Sequence, residues 1–128
     1  MDKDAFIRRA PWLSVPFNLA GAILFAFPSS RLSQYFGLPT PVPALYSTVL
    51  AFNILLAGGM YACIARQPKI DRSLVKLAVI GKAGFFLFMV VFWLLGHVPG
   101  QAVLAASGDL AFGVIFAWWL FSTKGSAA

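Results

Sequence analysis

Apolar residues fall into four long blocks, at about 10–27, 44–65, 74–95 and 102–121, separated by short polar or proline-bearing connections. A helix needs ~20 residues to cross a ~30 Å hydrocarbon core, and each block approaches that length. In lipid the backbone must satisfy its own N–H and C=O groups, which leaves helices or closed barrels. The runs are continuously apolar and lack the alternation of barrel strands. The pattern therefore predicts an all-α polytopic membrane protein, a four-helix transmembrane bundle forming a single domain over residues 1–128. The stretch Pro28–Gly37 predicts a short helix in the first outer loop, opened by proline and stopped by glycine. Leu32, Tyr35 and Phe36 would share its apolar face, with Arg31, Ser33 and Gln34 turned away, so that it lies at the membrane interface. Pro39, Pro41 and Pro43 then form a stiff link into the second block. The loop reads either as a tight linker or as a lid over an outward-facing pocket.

Each block is interrupted by a strongly polar residue: Asn18, Asn53, Lys82 and Asp109. Insertion scales penalise a charge at mid-membrane by roughly 2.5–3.5 kcal/mol, so Lys82 and Asp109 require a joint explanation. At 1.5 Å of rise per residue, the two would be offset by roughly 9 Å along an antiparallel hairpin. A lysine stem with a water or an asparagine would bridge that gap, and direct pairing is compatible but not forced. One face of the third block carries Val75, Ala78, Lys82, Phe85, Phe86, Met89 and Trp93, and one face of the fourth carries Ala102, Ala105, Ala106, Asp109, Phe112, Gly113 and Phe116. Asn53 shares a face with Tyr46, Leu50, Ala57 and Met60, and Asn18 with Ser14, Gly21 and Phe25. The similar surroundings of the four polar residues also fit a faint internal duplication. Gly58-Gly59 with Ala62, and Gly81 with Gly84, read as sites of close helix packing. Trp12, Trp93, Trp118 and Trp119 read as interfacial anchors.

Composition sharpens this picture. Of 128 residues, 60% are apolar and only 11% charged, and the mean hydropathy is +0.83, so the surface must face lipid. The net charge of +6 follows the connections: Lys3, Arg8 and Arg9 precede the first block, Arg66–Arg72 is basic, and Lys124 follows the last. Across the bundle stands only Arg31, with His97 in the turn Gly96–Gly100. The positive-inside rule places both termini in the cytoplasm and the chain in an inner (plasma) membrane. The basic balance is thus topological, and nucleic acid is excluded as a partner. Pro16 and Asn18 interrupt the first block and no small-x-small site follows Phe27, so it reads as a span rather than a cleaved leader.

Catalytic chemistry is thin. There is no glutamate, no Ser-His-Asp set, no CxxC and no glycine-rich phosphate loop. One histidine and one cysteine make neither a disulfide nor a zinc site, and Cys63 reads as a small packed apolar residue. No cofactor or metal set is visible, and the chain is not expected to be an enzyme.

The order Asn18…Gly21, Pro28, Gly37-Leu38-Pro39, Tyr61, Gly81-Lys82, Trp93…Gly96, Gly108-Asp109 and Phe112 resembles a broad group of small four-helix bacterial inner-membrane proteins, DoxX-like in the loosest sense. That resemblance implies a four-helix membrane protein and little about activity. The membrane glutamate of the small multidrug transporters is missing.

The leading expectation is a protein that binds or transports a small, partly lipophilic molecule around Asp109 and Lys82. Asn53, Asn18, Tyr46, Phe86, Met89, Trp93 and Phe112 complete the expected ligand site. One rival is an accessory or assembly subunit that docks on a membrane-protein partner or on a second copy of itself. Another is a proton- or ion-coupled carrier in which Asp109 titrates.

Overall fold

The computed structural model describes residues 2–124, and within them the chain is helical with no strand. The order is α1 (Lys3–Ala26), α2 (Arg31–Tyr35), α3 (Ala44–Arg66), α4 (Arg72–Leu94) and α5 (Gly100–Ser122). The four long helices run alternately up and down. Helices α1 and α3 form one tight antiparallel pair, and α4 and α5 form another. The pairs meet mainly along α1 and α5, and α3 barely touches α4.

Helices α3, α4 and α5 are each 23 residues long, and each is apolar enough to cross a membrane. Their apolar side chains point mostly outward: only 11% of the most apolar stretch of α4 is buried. A helix that is apolar all round yet exposed has lipid as its solvent. The chain is therefore a multi-pass membrane-helical protein. Helix α1 is as long, at 24 residues, but Lys3, Asp4, Arg8, Arg9, Pro11 and Pro16 keep it below the same apolarity. It starts about one and a half to two turns before the expected block because Asp2 caps it, accepting from the Asp4 amide at 3.0 Å.

At the end carrying the termini the interior is solid. Ile7, Tyr61, Ile64, Val75, Ala78, Phe116 and Trp119 form its core. Two arginines close this end. Arg8 donates to the carbonyls of Ala65, Gln67 and Pro68, and Arg72 donates to the Leu120 carbonyl and the Thr123 hydroxyl. They supply donors for the carbonyls that α3 and α5 leave unpaired at their C-termini. Arg72 also lies over the Trp119 ring, whose indole N–H donates to Asp4 at 3.0 Å. Trp119 is thus a buried core residue and not an interfacial anchor, whereas Trp12, Trp93 and Trp118 are exposed.

The opposite end is organised by two helix stops. Gly37 (φ 72°) and Gly96 (φ 77°) adopt the left-handed conformation after α2 and α4. The amides that follow them reach back, Leu38 to the Ser33 carbonyl and His97 to the Phe92 carbonyl. This is the Schellman closure, which only glycine adopts without strain. Helix α2 begins at Arg31, later than proline suggested, because Ser30 is its cap. Its orientation also differs from expectation. Ser33 is fully buried and donates to the Leu24 carbonyl at 2.8 Å, satisfying an unpaired group at the end of α1. Tyr35 faces outward instead, while Leu32 and Phe36, one turn apart, contribute to an inner surface.

Glycine packing is redistributed as well. Gly59, Gly81 and Gly84 have open space where a side chain would stand. Close approach is made at Gly58 against Asn18, at Gly113 against Lys82 and Ala83, and at Gly108, where an added Cβ would sit 2.5 Å from the Phe17 ring. Cys63 is exposed rather than packed.

Candidate functional site

Lys82 lies mid-way along α4, directly above Ala78 and the solid core. Its ammonium donates to Asp109 Oδ1 at 2.8 Å and to Asn18 Oδ1 at 2.7 Å. Gly113, one turn below Asp109 on α5, is level with the Lys82 Cβ, so the lysine stem spans the remaining turn and the pair is direct. Close α4–α5 contact at Gly113 allows it. Asn18 is oriented in turn by its amide, which donates to the Ile54 carbonyl on α3 at 3.1 Å. One polar network thus ties α1, α3, α4 and α5 together.

Three rings surround the same ammonium, with centroids at 4.8 Å (Tyr61), 4.9 Å (Phe17) and 5.3 Å (Phe112). Ring faces carry negative potential and stabilise a cation at this range. Tyr61 is stacked on Phe116, and Phe17 meets Phe112 edge-on, so the rings are fixed from behind. Lys82 retains 2% exposure, and its charge is neutralised by Asp109. Breaking such a buried pair strands a charge, at a cost of about 3–5 kcal/mol.

Above the network the bundle is hollow. A cavity of about 790 Å³ lies between the two helix pairs. Its walls are apolar, drawn from Phe17, Ile54, Phe85, Met89, Ala102 and Ala105 among others, and Lys82, Asp109, Asn18 and Tyr61 form its floor. Leu32, Phe36 and Leu38 of the α2 loop line its far end. That loop leans on the α4–α5 turn, with Gly37 so close to Pro99 that a Cβ would overlap the proline ring. Phe25 and Phe85 meet across the upper cavity at 6.4 Å. The weak α3–α4 seam leaves a lateral opening, beside which Asn53 and Gly81 are exposed.

The expected site residues separate into two groups. Asp109, Lys82, Asn18 and Met89 meet at the cavity, and Phe112 flanks the ammonium from outside its lining. Asn53 reaches only the rim and spends its amide on the Val49 carbonyl of its own helix. Tyr46 is 69% exposed and does not line the cavity. Phe86 does not line it either, and its place is taken by Phe85. Trp93 is half exposed and packs near Gly100, beyond the cavity. Phe17 and Tyr61 were not among the expected site residues, although Tyr61 is one of the marks of the family resemblance. In a chain that is 16% aromatic nothing assigns either ring to the site. Ser14 Oγ, one turn before Asn18, is enclosed and has no hydrogen-bond partner among the described residues.

Floor chemistry is defined by what remains unpaired. Asp109 Oδ2 and the Tyr61 hydroxyl make no hydrogen bond among the described residues. Neither is among the fully enclosed unpaired atoms, and both residues line the cavity.

Over 97 residues, 76% of the chain, the sequence is 31% identical to solute carrier family 22 member 14 of Mus musculus. The chain covers 14% of that protein's length. No family model matches the chain, and no solved structure matches it. The chain is thus a membrane-helical protein with partial similarity to a solute carrier.

Proposed function

We propose that this chain is a non-catalytic membrane protein that binds or transports a small, partly lipophilic molecule within the bundle. The observation that carries the reading is the cavity itself: about 790 Å³ of apolar space ending on a buried polar network. Ligand sites are apolar concavities with a few placed polar groups, and this volume lies in their usual range of roughly 300–1,000 Å³. Partial similarity to a protein named as a solute carrier agrees with transport. The ligand enters sideways from lipid through the α3–α4 seam, and the α2 loop closes the cavity toward the membrane surface.

The reading includes four spans. Helix α1 pairs with α3 along its length, from Arg8 beside Ala65 to Gly21 beside Ile54, and so crosses with it. The arginine-rich terminal end faces the cytoplasm of an inner membrane, following the positive-inside rule. The four-helix pattern stays within the DoxX-like resemblance. An impermeant maleimide should label His97→Cys from outside sealed cells and Lys69→Cys only after lysis; the reverse pattern inverts the topology.

The binding claim is tested with a fluorescent decyl lipophile titrated into purified protein in micelles. Saturable binding should disappear in Ala105→Phe, which fills the cavity without touching the ion pair. Equal binding by native protein and variant would place the probe on the outer surface and remove the proposal.

A further inference from the structure

The floor of the cavity selects a head group. Its cation is already compensated: Asp109 and Asn18 take two of the three Lys82 N–H donors, three rings surround the ammonium, and the residue keeps 2% exposure. An anionic head would therefore meet a cation already neutralised by Asp109, and would face that carboxylate as well. The paired Lys82 and Asp109 sum to zero charge. A cationic head would add an uncompensated positive charge to a medium of low dielectric, which is costly. Two oxygens make no hydrogen bond among the described residues, Asp109 Oδ2 and the Tyr61 hydroxyl; they belong to a carboxylate that holds the ammonium through Oδ1 and to a ring centred 4.8 Å from it. A carboxylate oxygen only accepts, whereas a phenol both donates and accepts.

We infer that the ligand is a neutral lipophile bearing a hydroxyl, whose O–H donates to Asp109 Oδ2 and whose oxygen accepts from the Tyr61 hydroxyl. A hydroxyl is the smallest neutral group that does both. A carboxylate head only accepts and an ammonium head only donates. The ligand tail lies along the apolar wall formed by Phe85, Met89, Ala102 and Ala105. Depth sets the tail: seven residues of helix separate Asp109 from Ala102, about 10 Å of rise. A chain of decyl length fits that depth with its end under the α2 loop. This inference rests on the binding reading above.

The test is a matched series on the full chain in micelles: decanol, its methyl ether, decanoate and decylamine, each competing with a fluorescent decyl lipophile. Decanol should bind at least about 10-fold more tightly than the ether, the size expected for a hydrogen bond to a charged group. Decanoate and decylamine should be weaker still. Tyr61→Phe should lower the affinities of decanol and its ether severalfold alike, because both oxygens accept from the phenol, and so leave the alcohol-to-ether ratio intact. An ether equal to the alcohol, or an acid or amine that binds as well as the alcohol, overturns the hydroxyl inference while the lipophile site stands. Failure of all four to compete, with the probe insensitive to Ala105→Phe, overturns the site and the inference together.

Discussion

The two halves of this bundle are built from the same four helices and the same apolar alphabet, yet one is solid and the other hollow. In the half near the termini, Ile7, Ile64, Val75 and Phe116 are essentially inaccessible, and arginines bind the last carbonyls of α3 and α5. In the other half, the small residues Gly21, Ala102 and Ala105 line the cavity, and α3 and α4 scarcely touch. Lys82, Asp109 and Asn18 lie at the boundary. The contrast shows that side-chain size decides where a membrane bundle is filled. Lipid tails are as apolar as leucine, so no hydrophobic force closes a gap that side chains do not fill.

The strongest way to break the contrast is to remove half of the ion pair. Asp109→Asn or Lys82→Met alone should destabilise the fold by about 3–5 kcal/mol, read from denaturation in mixed micelles. The double variant Lys82→Met/Asp109→Leu should recover most of that loss, because no charge is left stranded. If it is as unstable as either single variant, the pair is not the unit that joins the halves.

Truncating one ring in each half sharpens the comparison. Phe116→Ala, in the solid half, should cost about 3 kcal/mol through the void it opens. Phe85→Ala, which already borders empty space, should cost below about 1 kcal/mol. Similar losses at both positions would mean that the upper half is packed too. Arg72→Ala should cost about 1.5–3 kcal/mol, since charge-assisted hydrogen bonds to the end of α5 are lost. Hydrogen exchange should show the final turn of α5 opening first. Gly37→Ala should cost about 1–2 kcal/mol from its left-handed backbone and its contact with Pro99. It should raise exchange in the α2 loop and spare the terminal end.

Much of the fold was legible because block length and charge carry it. The expected spans at 44–65, 74–95 and 102–121 match α3, α4 and α5 to within about two residues, the usual precision of helix ends. The start of α1 was not legible, since its first turns are charged and only packing shows that Ile7 is a core residue. Lys82 and Asp109 stood out because lipid makes charge conspicuous, and their faces on α4 and α5 followed from spacing. Rotation of the other helices did not. When lipid and interior are equally apolar, hydropathy does not say which side faces inward, so Tyr46 was placed at the site and Tyr61 was not. Ser33 was misplaced for a related reason: its hydroxyl is buried to satisfy the carbonyl of Leu24, a demand visible only once α1 has ended.

The claim that binds these observations is that a lipophile occupies the hollow half and stops at the ion pair. Its most direct test is a photoreactive decanol cross-linked to the native chain and mapped by mass spectrometry. The account predicts labels on Phe85, Met89 and Ala105, none on Ile64 or Phe116, and loss of the cavity labels in Ala105→Phe. Labelling confined to outward residues such as Leu87, Phe88 and Leu104, unchanged by that substitution, would contradict it.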